Sequence, residues 1–314
     1  MRALRDMATI QIELTNACVL RCANCTRLCG HAPKPYFVEE SKFRQAIDSL
    51  VDFPHQVGIM GGEPLLHPQF EELCDYAVSK IPRERLGLWT VLPNGKEHHR
   101  EVICRTFGSI SLNDHSRTDI MHAPLLVSSE EVIKDRANLF MVADKCWVQN
   151  SWSASINPKG AWFCEVAGAL AELLDGPGGW PVEPGWWKRT PKDFKEQIEE
   201  YCPKCGGCLP LARRSSQDLR DDISPGMLER LKGRSRKIER GEYIVSEFKM
   251  DPELAKNPYP DQTYKDMRLR NRMAARYGIF LILNEQQYLE PNLRLGFDPS
   301  IQKEPIFEQF ARIV

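Results

Sequence analysis

The stretch Ile12-Glu-Leu-Thr-Asn-Ala-Cys18-Val-Leu-Arg-Cys22-Ala-Asn-Cys25 places three thiols within eight residues, with the spacing C-x3-C-x2-C. It overlaps a short segment, Thr9–Leu14, in which apolar and polar residues alternate as in a strand. Three close thiolates can bind three irons of a cubane iron–sulfur cluster, and the fourth iron then needs a ligand from elsewhere. Cys29 follows Cys25 at a gap that does not continue a ferredoxin pattern, so we expect Cys29 to pack in the interior.

A second motif stands about forty residues after the first cysteine, in Val57-Gly-Ile-Met-Gly61-Gly62-Glu63-Pro64. Together the two motifs resemble those of the radical S-adenosylmethionine (radical SAM) superfamily. The resemblance implies that Cys18, Cys22 and Cys25 bind a [4Fe–4S] cluster, whose open iron is chelated by the amino and carboxylate groups of SAM. It also implies that the reduced cluster cleaves SAM to a 5′-deoxyadenosyl radical, which abstracts a hydrogen atom from the substrate.

The same resemblance assigns SAM-binding residues to the strand ends. Glu63 would accept hydrogen bonds from the SAM amino group, and the two preceding glycines would let the backbone approach the ligand closely. The implied cofactor-binding residues are Gly61, Gly62, Glu63, Pro64 and, after the third predicted strand, Asn94. One position departs from the family pattern, which usually has an aromatic residue packed near the adenine just before the third cysteine. Here that position is Asn24.

Predicted strands and helices alternate at intervals of roughly 25–35 residues up to Asn113. This alternation is typical of βαβ units and predicts an α/β fold with a parallel sheet. The two motifs follow predicted strands, at the ends where open sheets and barrels place their sites. The resemblance implies a partial (β/α)6 TIM-like barrel over residues 1–140, a small cysteine-rich hairpin and helix domain over 141–212, and a C-terminal α/β extension over 213–314.

A second cysteine group lies beyond residue 140. Cys146 and Cys164 stand 18 residues apart, and the segment between them predicts a β-hairpin with its turn at 157–160. The run Cys202-Pro-Lys-Cys205-Gly-Gly-Cys208 then supplies two overlapping C-x2-C pairs, a spacing that is used to hold metal. On spacing alone, this group is equally compatible with a structural zinc and an iron–sulfur cluster.

The family resemblance favours the cluster. Radical SAM proteins of the SPASM/twitch group carry such a hairpin, with further cysteines around an auxiliary [4Fe–4S] cluster. The short chain and the five cysteines are similar to the twitch form, which includes dehydrogenases of aminocyclitols. The resemblance implies a second cluster bound by Cys146, Cys164, Cys202 and Cys205. Cys208 would then be a spare thiol, an alternative ligand or the donor of a hydrogen atom to the substrate.

An auxiliary cluster suggests a substrate radical that must lose an electron. We therefore expect oxidation or epimerisation of a small polar substrate, such as a sugar, an aminocyclitol or a nucleotide-linked compound. The resemblance implies a reduced flavodoxin or ferredoxin as electron donor. His115, in the loop after the fourth predicted strand, is a candidate general base. Two other functions stay open: a peptide-modifying radical SAM maturase, and a metal-stabilised binding module without enzymatic activity.

Composition indicates an ordinary globular protein, with 314 residues, a net charge of −1, 42% hydrophobic residues and 27% charged residues. Nothing in this balance indicates binding to nucleic acid or to a membrane surface. We find no signal-peptide pattern and no apolar run near the ~20 residues of a membrane span, so we expect a cytoplasmic protein. Its eleven cysteines then indicate metal or redox use rather than disulfides. The basic residues within 230–237 and 268–276 are expected to be solvated surface or, alternatively, a phosphate-binding patch.

Overall fold

The computed structural model describes residues 1–113, 120–151 and 153–245, and the backbone of residues 279–282. Its strands are β1 (Thr9–Glu13), β2 (Gln56–Met60), β3 (Leu86–Thr90), β4 (Ser109–Asn113), β5 (Met121–His122), β6 (Ser153–Asn157), β7 (Gly160–Trp162), β8 (Arg214–Ser215), β9 (Asp221–Ile223), β10 (Tyr243–Val245) and β11 (Ile279–Ile282). Its α-helices are α1 (Glu40–Ser49), α2 (Phe70–Lys80), α3 (Arg100–Thr106), α4 (Ser129–Val132), α5 (Arg136–Asp144), α6 (Trp147–Ser151), α7 (Glu165–Leu173), α8 (Lys195–Tyr201), α9 (Pro225–Leu231) and α10 (Arg236–Glu239). In this described part of the chain, no helix has both the length and the apolar character to cross a bilayer.

One mixed sheet forms the centre of the fold, with the strand order β11-β4-β3-β2-β1-β6-β7. The five inner strands, from β4 to β6, run parallel to their neighbours. The two outer strands, β7 and β11, pair antiparallel. The predicted α/β fold with a parallel sheet is therefore confirmed.

Strand β1 is buried on both faces because its side chains alternate between two layers. Ile10 and Ile12 belong to one apolar core together with Phe43 of α1 and Phe70 of α2. The intervening residues of β1 are polar, and they are buried as well. A buried polar layer of this kind needs internal hydrogen-bond partners. For Gln11 and Glu13 these partners come from the loop after β1, and for Thr9 the partner is Gln56 of β2.

The predicted hairpin is confirmed, and it joins the central sheet. Its first strand, β6, pairs in parallel with β1, and its second strand, β7, pairs antiparallel with β6. Asn157 fixes the turn, because its Oδ1 accepts hydrogen bonds from Nε1 of Trp162 at 2.7 Å and from N of Lys159 at 3.0 Å. Its Nδ2 donates to the carbonyl of Gly168 in α7 at 3.0 Å. The division of the chain at residues 140 and 212 stays a prediction.

Two separate helices, α4 and α5, follow one another closely in the chain. The interruption has a local cause, because Asp135 caps α5: its side chain accepts a hydrogen bond from N of Asn138 at 2.7 Å. A carboxylate that caps the first turn of a helix favours initiation of a new helix there over continuation of the preceding helix. Before α4, Leu126 makes an isolated parallel bridge to Ile223.

We predict that Asn157→Ala destabilises the protein by about 3 kcal/mol, because it leaves the buried Trp162 indole N–H and the Gly168 carbonyl without their partner. The exposed Asn138, on α5, provides the matched control Asn138→Ala, for which we expect no comparable loss. The measurement is the denaturant midpoint of each purified variant. Equal midpoints for the two variants would contradict the role of Asn157.

Candidate functional site

The loop that follows β1 brings the first three cysteines together. Cys18, Cys22 and Cys25 are each partly exposed. Burial raises the pKa of the Cys22 thiol, and electrostatic repulsion from Cys25 and Cys18 raises it further. The three thiols are therefore close enough to interact electrostatically. A hydrogen bond from Cys29 lowers the pKa of Cys25 to about 6 and favours the thiolate, which is the form that binds metal.

Cys29 is buried, as the sequence predicts. Its thiol also lies among the other three, because it hydrogen-bonds to the side chains of both Cys18 and Cys25. The spacing gave no indication of this contact, since it depends on turns in the loop that bring Cys29 back toward Cys18.

The Gly-Gly-Glu turn after β2 packs directly on the cysteine loop. The amide of Gly62 donates to the carbonyl of Thr15 at 2.6 Å, and the amide of Glu63 donates to the carbonyl of Ala17 at 2.7 Å. A Cβ atom at position 62 would lie 2.1 Å from the Ala17 oxygen, and one at position 61 would lie 2.3 Å from the Thr15 oxygen. The two glycines thus permit a close approach of this turn to the cysteine loop.

Glu63 lies fully buried at the ends of two adjacent strands. Its carboxylate accepts hydrogen bonds from N of Leu65 at 3.0 Å, from Oγ1 of Thr90 at 2.7 Å and from N of Val91 at 2.8 Å. Burial nevertheless raises the pKa of Glu63 to about 7. Pro64 is the first residue of the short 3-10 turn that Glu63 caps, whereas Asn94 is exposed in the loop after β3.

Asn24, the residue that departs from the family pattern, has a specific role in the fold. Its φ of 49° lies in the left-handed region, which asparagine tolerates better than most residues. Its Nδ2 donates to Asp222 at 2.8 Å, and the amide of Asp222 donates back to Oδ1 of Asn24 at 2.9 Å. The side chain therefore joins the cysteine loop to β9. The sequence signal that could have revealed it is an asparagine in a turn-rich loop, a residue type suited to this backbone.

The second cysteine group converges on one cavity. Its walls include apolar side chains such as Val148, Phe163 and Leu170, and its thiols belong to Cys146, Cys164, Cys202, Cys205 and Cys208. Burial raises the pKa of every one of these thiols. Within the described ranges, no three His, Cys, Asp or Glu side chains lie close enough together to hold a single metal ion.

Cys146 has the largest electrostatic effect on the neighbouring thiols. After burial, it is the largest cause that raises the pKa of Cys164, Cys202 and Cys205. Cys208, whose pKa is raised to about 12, is repelled by Cys146 but receives a hydrogen bond from Ser129 that partly offsets the shift. Cys208 also belongs to a small apolar cluster with Val127 and Leu211, and Cys146 and Cys202 pack against this cluster.

The Gly-Gly pair in the last cysteine run has a steric reason at its first position. The amide of Gly206 donates to the carbonyl of Leu125 at 2.9 Å. A Cβ atom there would lie 2.0 Å from the carbonyl oxygen of Pro124. Only glycine permits this approach, which presses the loop of Cys205 and Cys208 against the segment before α4.

A buried ion network that sequence reasoning missed lies between the two cysteine groups. Arg27 contacts Glu13 and Glu165 through its Nη1 and Nη2 atoms, both at 2.8 Å. All three side chains are at most 3% exposed. Burial raises the pKa of both carboxyl groups against the attraction of Arg27. Because Arg27 follows Cys25 by two residues and Glu165 directly follows Cys164, the network joins the two groups.

Two histidines, His115 and His122, follow the fourth strand in the sequence. His115 lies outside the described residues, so its proposed role as a base stays a prediction. His122 hydrogen-bonds through Nδ1 to the carbonyl of Ala23 at 2.7 Å, and burial lowers its pKa. His122 thus contacts the cysteine loop as a neutral, structural partner.

Comparison with known proteins gives no sequence match and only loose structural alignments. No protein-family model matches the chain, and no curated protein matches it. The crystal structure of BtrN in complex with AdoMet and 2-DOIA aligns with 14% sequence identity and a TM-score of 0.44, over 63% of this chain and 92% of that one. Selenomethionine BtrN in an open conformation aligns with 13% identity and a TM-score of 0.40, over 64% of this chain and 88% of that one. A likeness this loose assigns no ligand or reaction, so function is inferred from the residues themselves.

We predict that Glu63→Gln removes a pH dependence from the stability of the protein. Folded protein keeps a proton on Glu63 up to about pH 7, whereas the unfolded chain releases it near the usual value of 4.5. The contribution of Glu63 is therefore fully present below the unfolded pKa and is lost as the pH rises through the folded one, by up to about 3 kcal/mol.

Melting temperatures measured from about pH 5 to pH 8 test this expectation. The stability of the wild type relative to Glu63→Gln should fall as the pH rises. The exposed control Glu84→Gln should follow the wild type throughout. A difference between wild type and Glu63→Gln that stays constant with pH would show that burial does not perturb this carboxyl group.

Proposed function

We propose that this chain is a radical SAM enzyme with an auxiliary iron–sulfur cluster. The observation that carries the proposal is the contact between its two motifs. The Gly-Gly-Glu turn donates two backbone hydrogen bonds to Thr15 and Ala17, at the start of the loop that holds the three partly exposed thiols. Residues that would bind the cluster and residues that would bind SAM therefore meet at the C-terminal ends of β1 and β2.

The donor set fits a cubane with one open iron. Cys18, Cys22 and Cys25 supply three thiolates, and their partial exposure would let an incoming ligand reach a cluster bound there. When bound, the cluster and SAM supply a hydrogen-abstracting radical. Glu63 would accept a hydrogen bond from the SAM amino group, and its carboxylate is held in one orientation by Leu65, Thr90 and Val91. Gly61, Gly62, Pro64 and Asn94 complete the proposed SAM-binding residues.

For the auxiliary cluster we propose Cys146, Cys164, Cys202 and Cys205 as ligands. Four thiolates from one cavity match a cubane. The raised pKa values mean that these thiols must release protons when the cluster binds. Cys208 remains the candidate for an alternative ligand or a hydrogen donor, because it lines the same cavity.

The proposed reaction is oxidation or epimerisation of a small polar substrate, with electrons from a reduced flavodoxin or ferredoxin. The support lies in the second group of thiols, since a substrate radical that must lose an electron needs an acceptor within the same protein. The buried Arg27 network supports a fixed relation between the two groups, because it ties the cysteine loop to α7 directly after Cys164.

Anaerobic incubation with SAM and dithionite tests the enzymatic part. The wild type should form 5′-deoxyadenosine, and Cys22→Ala should form none, because it removes one iron ligand. Cys104→Ala, which removes a thiol on α3 outside both groups, should match the wild type. Iron-loaded wild-type protein that forms no 5′-deoxyadenosine would instead support a binding module with structural clusters.

Counting metal tests the auxiliary cluster. Two cubanes require about eight irons per chain, and Cys164→Ala should reduce the count to about four while Cys208→Ala leaves it unchanged. The measurement is iron, sulfide and zinc per purified chain after anaerobic reconstitution. A wild-type count of about four irons with one zinc would contradict the second cluster and assign the cavity to zinc.

A further inference from the structure

Lys237 is completely buried although it belongs to the basic stretch 230–237, which was expected to be solvated. Other basic residues of the stretch, such as Lys232 and Arg236, are exposed as predicted. Burial of an ammonium group is unfavourable unless the group is paired. The role of Lys237 can therefore be inferred from its hydrogen-bond partners.

These partners lie in the cysteine loop and in β9. The Nζ atom of Lys237 donates to the backbone carbonyl of Cys22 at 3.1 Å and to Oδ1 of Asp221 at 2.8 Å. The aliphatic part of the side chain runs past Gly30, where a Cβ atom would lie 3.5 Å from it. One side chain of α10 therefore reaches both Cys22 and a later turn of the same loop at Gly30.

Asp221 is the centre of this contact. Its Oδ1 also accepts a hydrogen bond from the amide of Asn24 at 2.5 Å, and its Oδ2 pairs with Nε2 of His31 at 2.7 Å. The other ring nitrogen of His31 pairs with Oγ of Ser235 at 2.7 Å. Burial would raise the pKa of Asp221, but His31 and Lys237 outweigh it and keep the carboxyl group ionised.

Backbone hydrogen bonds extend the same contact along the loop. The amide of Ala23 donates to the carbonyl of Ser216 at 2.9 Å, and the amide of Arg236 donates to the carbonyl of His31 at 2.9 Å. Between residues 14 and 39, all of which are described, the loop contains turns and a bridge from Thr15 to Phe37 but no helix and no strand. Its conformation therefore depends on partners outside the loop.

We propose that residues 216–242 form a dock that holds the cysteine loop in its cluster-binding conformation, with Lys237 as the positioning residue. This inference rests on the proposed cluster at Cys18, Cys22 and Cys25, and it gives a role to the segment after the auxiliary thiols. Lys237 acts through the Cys22 carbonyl and touches no reacting atom. Its positive charge also lies beside a site where three thiolates gather negative charge, which favours the loaded state.

Lys237→Met tests the dock, because it keeps a side chain of similar length and removes the bonds to Cys22 and Asp221. We expect the cluster at the cysteine loop to lose iron to a chelator about tenfold faster or more, since outer-shell contacts affect metal affinity by that amount. We also expect a changed response of the reduced-cluster electron paramagnetic resonance signal to added SAM. Lys232→Met, the same substitution at an exposed position of the segment, should behave as the wild type in both measurements.

Asn24→Gly is the second variant, and it is informative even if Lys237→Met does not fold. Glycine keeps the left-handed backbone at position 24 and removes the bonds to Asp222. It should also accelerate iron loss from the cysteine loop, while the iron bound by the auxiliary thiols stays in place. A lower melting temperature with unchanged iron loss and an unchanged resonance signal in both variants would overturn the dock and leave a merely structural contact.

The outcomes separate this inference from the proposed function. If the wild type shows no cluster whose resonance signal responds to SAM, the proposed function fails, and the inference fails with it. If the wild type shows that signal, and both variants have the same signal and the same rate of iron loss as the wild type, the proposed function stands and the dock is refuted.

Discussion

Hydrogen bonding of β1 along both of its edges is the constraint on which the rest of the structure depends. One edge pairs with β2, which ends in the Gly-Gly-Glu turn, and the other pairs with β6, which leads through the hairpin to Cys164. The chain builds the sheet from β1 to β4 in one direction and later adds β6 on the opposite side. The cysteine loop therefore leaves the sheet where the strand order reverses, a position that forms a crevice in open α/β sheets.

Buried charges then fix the loop relative to the elements around it. Arg27 with its two glutamates lies on the side of α7, and Lys237 with Asp221 lies on the side of α10. Pairs of this kind contribute little net stability over apolar replacements, but loss of one partner leaves an uncompensated charge. The arrangement penalises any loop conformation that separates the partners, and it thereby favours one set of thiol positions over the many that a turn-rich loop could adopt.

Sequence predicted the parts of this molecule that local patterns determine. The alternation of residues in β1, the apolar run before Gly61 and the turn residues at 157–160 each indicated an element that is present, because strands and turns are specified by neighbouring residues. The two groups of thiols were also evident from spacing. Burial of Arg27 and Lys237 was not evident from the sequence, because charged side chains are usually exposed. Their buried partners are distant in the chain and could not be identified from neighbouring residues. The close contact of Gly61 and Gly62 with Thr15 and Ala17 was missed for the same reason, since these residues are distant in sequence.

The contact of Asn24 with Asp222 spans 198 residues, and that of Lys237 with Cys22 spans 215. Contacts between residues this far apart in sequence form late, because the entropy cost of ordering the intervening chain comes before the favourable free energy of the contact. During synthesis from the N-terminus, the three thiols emerge long before the segment that orders them. The contact that holds Cys22 thus becomes available only once the chain has been made as far as Lys237, so under the proposed function a cluster would reach its final surroundings after translation of the motif rather than during it.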